Sequence, residues 1–223
     1  MIQALVFDFD GVILETEGPI YTSWQELYHA HGQELALEQW LKNIGTAEEV
    51  FDPITDLERR IGRALDRSTE LLCRRERELE LIYTQPVLPG VVDYLKSARA
   101  RGLKVGLASS SPCSWVTSHL ERLELMEYFD VIAAGDDVPR TKPDPALYWT
   151  ALGWLGVQPE HAIAFEDSYN GMLAAKRAGL RCVVVPHALT RHMNFDLADL
   201  RLDSLADLSL EDLLSHFNGR LGL

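Results

Sequence analysis

The amino-acid sequence predicts an α/β protein in which a doubly wound parallel sheet carries an inserted all-helical cap domain. Apolar runs at residues 2–7, 103–108, 131–134, 162–165 and 182–185 are near-continuous rather than alternating, with the run at 131–134 the weakest. Such runs are typical of strands covered by helices on both faces. Helical patterns separate the later runs, and this alternation favours a parallel sheet. The long segment after the first run has no convincing strand.

That segment has the pattern of helices instead. Residues recur at helical spacing near its two ends, at Ile20, Trp24, Leu27 and His31 and then at Leu72, Leu79 and Tyr83. These stripes predict a helical cap at residues 17–86, inserted into a core formed by residues 1–16 and 87–223. The alternative is that these helices simply extend the core.

The core helices follow in order. Residues 89–101 place apolar side chains on one helical face and are bounded by a proline and a glycine, as expected for a helix start and stop. Residues 169–178 form a second, Ala-rich helical pattern. Near the C-terminus, Ser209 and Asp212 have the spacing of a capping box and predict a final helix.

Length and charge limit the classes of protein that this sequence can encode. A chain of 223 residues suffices for one α/β domain with an appended subdomain. Its net charge of −13 repels nucleic acid and anionic membranes, so we expect neither partner. No stretch approaches the roughly 20 apolar residues of a membrane span, and the N-terminal run lacks the basic segment of a signal peptide. We therefore expect a cytoplasmic protein.

Two acids, Asp8 and Asp10, directly follow the first predicted strand and precede Gly11. Residues just after a strand of an open α/β sheet lie at its carboxyl edge, where such folds bind ligands. Two carboxylates this close repel each other, and a divalent cation would compensate the repulsion. Because the ligands are oxygens, Mg²⁺ suits them. The alternative is a pair of turn residues, since aspartate is common in turns.

The second and fourth predicted strands also end in polar residues. The second leads into Ser109, Ser110 and Ser111, whose hydroxyl and backbone N–H groups would cradle an anion. Serines at this place are also ordinary helix N-caps, which is the alternative. The fourth strand leads into a second acidic pair, Glu166 and Asp167. We expect all of these residues to meet at one edge of the sheet.

Lys142 offers the positive charge that an anion site needs. It lies in the segment Lys142-Pro143-Asp144-Pro145, where two prolines would stiffen the loop. A lone lysine is ordinarily solvated surface, which is the alternative interpretation. Beside four carboxylates and a hydroxyl cradle, its ammonium group would instead serve as the counter-charge of a phosphate.

Taken together, these residues resemble the four motifs of the haloacid dehalogenase (HAD) superfamily. The motifs are Asp8-Phe9-Asp10-Gly11, then Ser109, then Lys142-Pro143, then Glu166-Asp167-Ser168 with Gly171. Their order and spacing agree over essentially the whole chain, and the helical insertion resembles the first type of cap domain in that superfamily. The nearest likeness is to the branch of β-phosphoglucomutase and sugar-phosphate phosphatases. The resemblance implies a HAD-like, Rossmannoid catalytic core.

The resemblance also implies catalytic and metal-binding roles. Asp8 would attack phosphorus and form an aspartyl phosphate. Asp10 would act as general acid to the leaving alkoxide and then as base toward water. Mg²⁺ would be held by Asp8, the backbone carbonyl of Asp10 and Asp167, with Glu166 bound to the ion or next to its ligands.

Substrate contacts are implied in the same way. Gly11, Ser109, Ser110 and Lys142 would bind the phosphoryl group, and Lys142 would also restrain the Asp8 charge. In the cap, the candidates for contacting substrate are Lys42, Thr46, Arg74, Arg75 and Arg77. For each of the arginines, a solvated helix face is the alternative.

The cap sequence bears on whether water or a second substrate oxygen accepts the phosphoryl group. The mutase branch has a histidine in the cap and an arginine in a cap loop, whereas this chain has Ile20 and an Arg-free segment at residues 43–47. A longer acid, Glu15, stands where the family often has aspartate, and Thr16 after it can bond the first motif. Because Asp10 is present, the metal-free dehalogenase branch is unlike this chain.

We therefore predict a Mg²⁺-dependent phosphatase that hydrolyses a small-molecule phosphate ester and is a monomer or weak homodimer. Two alternatives stay open. One is a phosphomutase of the β-phosphoglucomutase type, and the other is a non-catalytic regulatory protein that keeps the fold.

Overall fold

The computed structural model describes residues 1–41 and 51–219. Its strands are β1 (Ala4–Phe7), β2 (Lys104–Ala108), β3 (Val131–Ala133), β4 (Ala162–Glu166), β5 (Arg181–Val184) and β6 (Leu200–Arg201). Its helices are α1 (Glu17–Ala30), α2 (Leu37–Trp40), α3 (Pro53–Ile61), α4 (Arg67–Tyr83), α5 (Val91–Ala100), α6 (Cys113–Arg122), α7 (Ala146–Leu155), α8 (Tyr169–Arg177) and α9 (Leu210–Gly219). None of the helices in these ranges is both long enough and apolar enough to cross a membrane.

The strands form one parallel sheet in the order β3-β2-β1-β4-β5-β6. The predicted fold class is confirmed, and the five predicted strands lie within two residues of the observed ones. The sequence does not predict β6, because a strand of two residues is too short to form a recognisable apolar run.

Helices cover both faces of the sheet because side chains alternate along each strand. In β1, Leu5 and Phe7 pack with α5 and α9, whereas Ala4 and Val6 pack with α7 and α8. Phe7 stacks on Phe165 of β4, with ring centroids 4.6 Å apart. All four residues of β1 are buried, so this strand lies at the centre of the molecule.

The direction of winding reverses at β1, which pairs with β2 on one side and with β4 on the other. Open α/β sheets bind ligands at the carboxyl ends of the strands that flank such a point. Asp8 follows β1, Ser109 follows β2 and Glu166 ends β4. The fold therefore brings the predicted strand-end residues to one place.

Helices α1 to α4 occupy the chain between β1 and α5. They share an apolar cluster that includes Trp24, Tyr28 and Leu57, and Leu189 from the segment after β5 also contributes to it. Leu14 and Val87 form an isolated antiparallel bridge, so the chain leaves and rejoins the core at neighbouring points. These features support an inserted cap; its limits at residues 17–86 stay a prediction.

Helix α4 buries a different face from the predicted stripe. Leu72 and Tyr83 are 60% and 56% exposed, whereas Glu78 and Ile82 are buried. Glu78 forms an ion pair with Arg74 on the next turn. A charged pair therefore occupies part of the buried face, and a pattern of apolar residues alone finds the wrong side of the helix.

The core helices lie where the sequence predicts them. Helices α5 and α8 agree with the predicted ranges within two residues. At the start of α9, the Ser209 hydroxyl accepts a hydrogen bond from the Asp212 backbone N–H at 3.1 Å, which is the predicted cap.

The buried carboxylate of Glu78 generates a prediction about stability. Replacing it by alanine leaves Arg74, whose side chain is only 12% exposed, without its partner. Because an unpaired buried charge is costly, Glu78→Ala should lower the free energy of unfolding by about 3 kcal/mol, measured by urea denaturation. The control is Glu76→Ala on the exposed face of α4, which should change it by less than about 0.5 kcal/mol. Equal effects of the two variants would contradict the assigned face.

Candidate active site

Asp8 lies at the carboxyl end of β1 and is 7% exposed. Its backbone N–H donates to the Phe165 carbonyl at 2.9 Å, which continues the pairing of β1 with β4. Its Oδ1 accepts hydrogen bonds from the Phe9 N–H at 2.7 Å and is 2.8 Å from the Lys142 Nζ. The end of the sheet thus fixes both the backbone and the carboxylate of Asp8.

Glu166 and Asp167 complete a compact acidic group with Asp8. Carboxylate oxygens of the three residues lie within 4.8 Å of one another, and all three side chains are buried. Burial raises the pKa of each carboxyl above its usual value, most strongly for Asp8, where the Glu166 charge adds to the effect. Three acids in one enclosed space require positive charge nearby.

Lys142 supplies part of that positive charge. Its Nζ lies 2.8 Å from Asp8 Oδ1 and 2.7 Å from Glu166 Oε1. Burial alone would lower the pKa of Lys142, but the two carboxylates outweigh this and raise it above its ordinary value. The predicted placement of a lysine charge beside the acids is therefore seen in the geometry, and the solvated-surface alternative is wrong.

Two glycines make room for the acids. Gly11 has φ +78°, and a Cβ there would lie 2.5 Å from Asp167 Oδ2. A Cβ on Gly171 would overlap the Glu166 carboxylate. Only glycine lets the first-motif loop and the start of α8 approach the two acids this closely.

The carboxylate of Asp10 lies apart from this group and has its own hydrogen-bond partners. Oδ1 accepts from the Thr16 hydroxyl at 2.9 Å and from the Trp115 indole N–H at 3.1 Å. Oδ2 accepts from the Ser111 hydroxyl at 2.7 Å. The predicted bond from Thr16 to the first motif is present, and three donors hold the Asp10 carboxylate in place.

The serine turn after β2 divides into two parts. Ser109 is fully buried, and its hydroxyl accepts a hydrogen bond from the Ser111 N–H at 3.0 Å. Ser110 and Ser111 line an open cleft. Ser109 therefore shapes the turn, while its neighbours face the space in which a substrate would lie.

That cleft has a volume of about 770 Å³ and lies between the strand ends and helices α1 and α4. Residues from these helices that line it are Glu17, Ile20, Arg75, Glu78, Leu79 and Tyr83. Burial, together with the charges of Asp167 and Asp10, raises the pKa of Glu17 to about 7. A carboxyl group that is partly protonated near neutral pH thus faces the cleft.

The predicted substrate contacts of the cap differ in where their side chains lie. Of the three arginines, Arg75 lines the cleft, whereas Arg74 pairs with Glu78 and Arg77 pairs with Glu26 at 2.8 Å. For Arg77 the solvated-face interpretation holds. Lys42, Thr46 and the segment at residues 43–47 lie outside the described residues.

Sequence reasoning missed three residues that hold the carboxylates in place. The Tyr148 hydroxyl donates to Glu166, the Trp115 indole donates to Asp10, and the His187 Nε2 lies 3.0 Å from Asp167 Oδ2. Tyr148 and Trp115 lie inside helices, where nothing in the sequence distinguishes them from packing residues. His187 follows β5, so the strand-end argument used for the acids would have found it.

The donor set of the acidic group fits a hard divalent cation. Its ligand atoms are all oxygens, which such ions prefer. Within the described residues, Oε2 of Glu166 is buried without a hydrogen-bond partner. Lys142 and His187 both contact the group. Even with His187 protonated they supply two positive charges against three carboxylates, so a further cation would balance the group.

Comparisons with known proteins identify the family of this chain. The profile of the family described as haloacid dehalogenase-like hydrolase matches residues 5–185. YhcW of Bacillus subtilis (strain 168), provisionally named a phosphatase, is 46% identical over 220 residues, which cover 99% of this chain and 100% of that protein. Hexitol phosphatase B of Escherichia coli (strain K12) is 33% identical over 218 residues, covering 96% of this chain and 97% of that protein.

Solved structures give the same result. CbbY from Rhodobacter sphaeroides in complex with phosphate superposes with a TM-score of 0.73 at 34% identity, covering 96% of this chain and 99% of that chain. A provisionally named β-phosphoglucomutase from Thermotoga maritima gives 0.77 at 26% identity, covering 92% and 96%. The chain therefore belongs to the haloacid dehalogenase-like hydrolase family. The predicted enzyme class, in the branch that contains phosphatases, is confirmed.

The tight approach of Gly171 to Glu166 generates a prediction. Gly171→Ala forces Glu166 out of its place between Lys142 and Tyr148, so it should lower the free energy of unfolding by about 2 kcal/mol. The matched control is Gly153→Ala in α7, where a Cβ meets nothing within 4 Å. That substitution should raise the free energy of unfolding by about 0.5–1 kcal/mol through helix propensity. Thermal and urea denaturation measure both, and an unaffected Gly171→Ala protein would refute the packing.

Proposed function

We propose that this chain is a Mg²⁺-dependent phosphatase that hydrolyses a small phosphate monoester of the sugar-phosphate class through an aspartyl phosphate on Asp8. The observation that carries the proposal is the placement of Asp8. It is buried at the end of the central strand, 2.8 Å from Lys142 and beside Glu166 and Asp167. A carboxylate held in this way is an oriented nucleophile with its counter-charge already in position.

In the first step, a carboxylate oxygen of Asp8 bonds to phosphorus while the bond from phosphorus to the substrate alkoxide breaks. The carboxylate and the phosphate repel each other, and the ammonium group of Lys142 offsets this at the nucleophile. Asp10 gives its proton to the leaving oxygen. Ser110 and the backbone of the turns at Gly11 and Ser109 support the phosphoryl oxygens, while the buried Ser109 hydroxyl shapes its turn.

In the second step, the phosphoryl group passes from Asp8 to water. Asp10, now ionised, removes a proton from the attacking water, and the carboxylate of Asp8 is released. Thr16, Ser111 and Trp115 hold Asp10 for both steps, because their bonds leave its carboxylate little freedom to rotate.

The residues that would hold Mg²⁺ are Asp8, Asp167 and the backbone carbonyl of Asp10, with Glu166 beside them. The all-oxygen donor set and the incompletely balanced charge support this assignment. When bound, Mg²⁺ supplies positive charge that offsets the repulsion between the nucleophile and the phosphate.

The substrate class is supported by relatives and by the cleft. Hexitol phosphatase B is named for phosphorylated hexitols, and a CbbY variant has been crystallised with xylulose-(1,5)bisphosphate. In this chain Ser110, Ser114 and Ser118 line the cleft, together with the half-exposed Arg75. Such a lining offers hydrogen bonds to the hydroxyl groups of a sugar or polyol.

A phosphomutase is the second candidate, favoured by the likeness to the Thermotoga maritima structure. That activity passes the phosphoryl group to a second substrate oxygen and must keep water out. Ile20, which lines the cleft, offers no hydrogen bond or charge where the mutase branch has a histidine. We therefore propose water as the acceptor.

The proposal also covers partners and location. A small phosphate ester is the expected partner, and neither nucleic acid nor membrane is expected at a net charge of −13. A cytoplasmic monomer or weak homodimer is the proposed form.

The nucleophile is tested by removing its charge. Asp8→Asn should abolish release of phosphate from p-nitrophenyl phosphate and from a panel of sugar phosphates, with kcat falling at least about 1,000-fold. Asp203→Asn, which changes an exposed acid outside the cleft, is the control. Failure of the wild-type protein to hydrolyse any ester of the panel would contradict the phosphatase. Conversion of β-glucose 1-phosphate into glucose 6-phosphate without free phosphate would establish the mutase instead.

The metal site has a readout that does not depend on turnover. Mg²⁺ at about 100 times its Kd should stabilise the folded state by about 2.7 kcal/mol, which is a rise in Tm of roughly 5–10 °C for a chain of this size. Asp167→Asn should remove most of this rise, whereas Asp203→Asn, at an exposed acid, should keep it. A wild-type Tm that does not respond to Mg²⁺ would refute the assigned site.

A further inference from the structure

Trp115 contacts the acid–base group from a helix that none of the four motifs includes. It lies in the first turn of α6, half-buried at the wall of the cleft. Its indole Nε1 is 3.1 Å from Asp10 Oδ1, and its ring packs edge-on against His119 at 4.3 Å between centroids. The side chain is therefore held by packing and directs its only polar group at Asp10.

The chemistry of that polar group restricts the hydrogen bonding of Asp10. An indole N–H can only donate, whereas the hydroxyls of Thr16 and Ser111 can donate or accept. Oδ1 of Asp10 must therefore be an acceptor whenever the Trp115 bond is present. In the part of the chain that the structure describes, Oδ2, which is 2.7 Å from the Ser111 hydroxyl, has no partner that can only donate. The Trp115 bond therefore fixes which oxygen of Asp10 faces the indole.

A cap residue holds Trp115 from the other side. The guanidinium carbon of Arg75 in α4 lies 4.8 Å from the centroid of the Trp115 ring, a cation–π contact. Arg75 also pairs with the buried Glu78, which in turn pairs with Arg74. The indole is thus enclosed between a core helix and a cap helix.

We propose that Trp115 is a positioning residue that orients the Asp10 carboxyl group for proton transfer with the leaving oxygen, with Arg75 holding the indole in place. This inference rests on the proposed function, in which Asp10 protonates the leaving group. As the bond from phosphorus to the leaving oxygen breaks and Asp8 bonds to phosphorus, the proton of Asp10 moves to that oxygen. In the second step, the Asp10 carboxylate takes a proton from the attacking water.

Two esters with different leaving groups distinguish a positioning role of Trp115 from a packing role. A nitrophenolate is a weak base and leaves without a proton, whereas an alkoxide needs one. Trp115→Phe keeps a ring against Arg75 but removes the N–H. For glycerol 2-phosphate, its kcat/KM should fall at least about 10-fold, and for p-nitrophenyl phosphate it should stay within about 3-fold. Arg75→Lys, which keeps the charge but loses the flat guanidinium group, should change the ratio in the same direction.

The controls separate the possible outcomes. Trp154→Phe removes an indole that is 53% exposed on α7 and should leave both values unchanged. Equal losses for both esters in Trp115→Phe would show that Trp115 only packs and would overturn the proposal. Asp10→Asn is the reference for loss of proton transfer. If it affects both esters equally in an active protein, the role of Asp10 in the proposed function fails, whatever Trp115 does.

Folding of the variants is checked by circular dichroism and thermal denaturation. If Trp115→Phe does not fold, benzothienylalanine incorporated at position 115 makes the same comparison, because sulfur replaces the N–H in a ring of nearly the same shape. An unchanged ratio between the two esters in that protein would overturn the proposal.

Discussion

The contact of Lys142 with both Asp8 and Glu166 is the interaction on which the site depends. At 2.8 and 2.7 Å, one ammonium group joins the carboxylate after β1 to the carboxylate that ends β4. All three side chains are buried, and charges in such surroundings are stable only when paired. The loop after β3 is thereby tied to the centre of the sheet. Gly11 and Gly171 leave the space that the carboxylates of Asp167 and Glu166 occupy.

The strand order explains how Lys142 can contact carboxylates from two different strands. Because β1 lies between β2 and β4, Asp8 meets Glu166 and Asp167 at the strand ends, and Ser111 of the turn after β2 reaches Asp10 at 2.7 Å. Asp10, two residues beyond Asp8, falls outside the acidic group and is held by Thr16 before α1, Ser111 before α6 and Trp115 in α6. The two acids thus lie in different surroundings, as their proposed roles of nucleophile and acid–base group require.

Much of this arrangement could be predicted from the sequence, because parallel strands place their ends together. That rule predicts the meeting of Asp8, Ser109 and Glu166, and it could also have found His187. It cannot find contacts made by helices, because Tyr148 and Trp115 look like any aromatic residue of an amphipathic helix. On α4, the spacing of Leu72 and Tyr83 favours the wrong face because Glu78 and its arginine partners fill the buried one. Ion pairs of this kind depend on tertiary contacts that a local pattern does not contain.

The bridge between Leu14 and Val87 has a consequence for how the helical insertion can change in evolution. Since the two connections to the helical insertion lie side by side, the ends of the inserted segment are already close before it folds. Exchanging it for a segment of another length costs only a small change in loop-closure entropy. The helices that cover the cleft can therefore diverge between descendants while the strand ends beneath them stay constant, because exchange of the inserted segment needs breaks only at two neighbouring points.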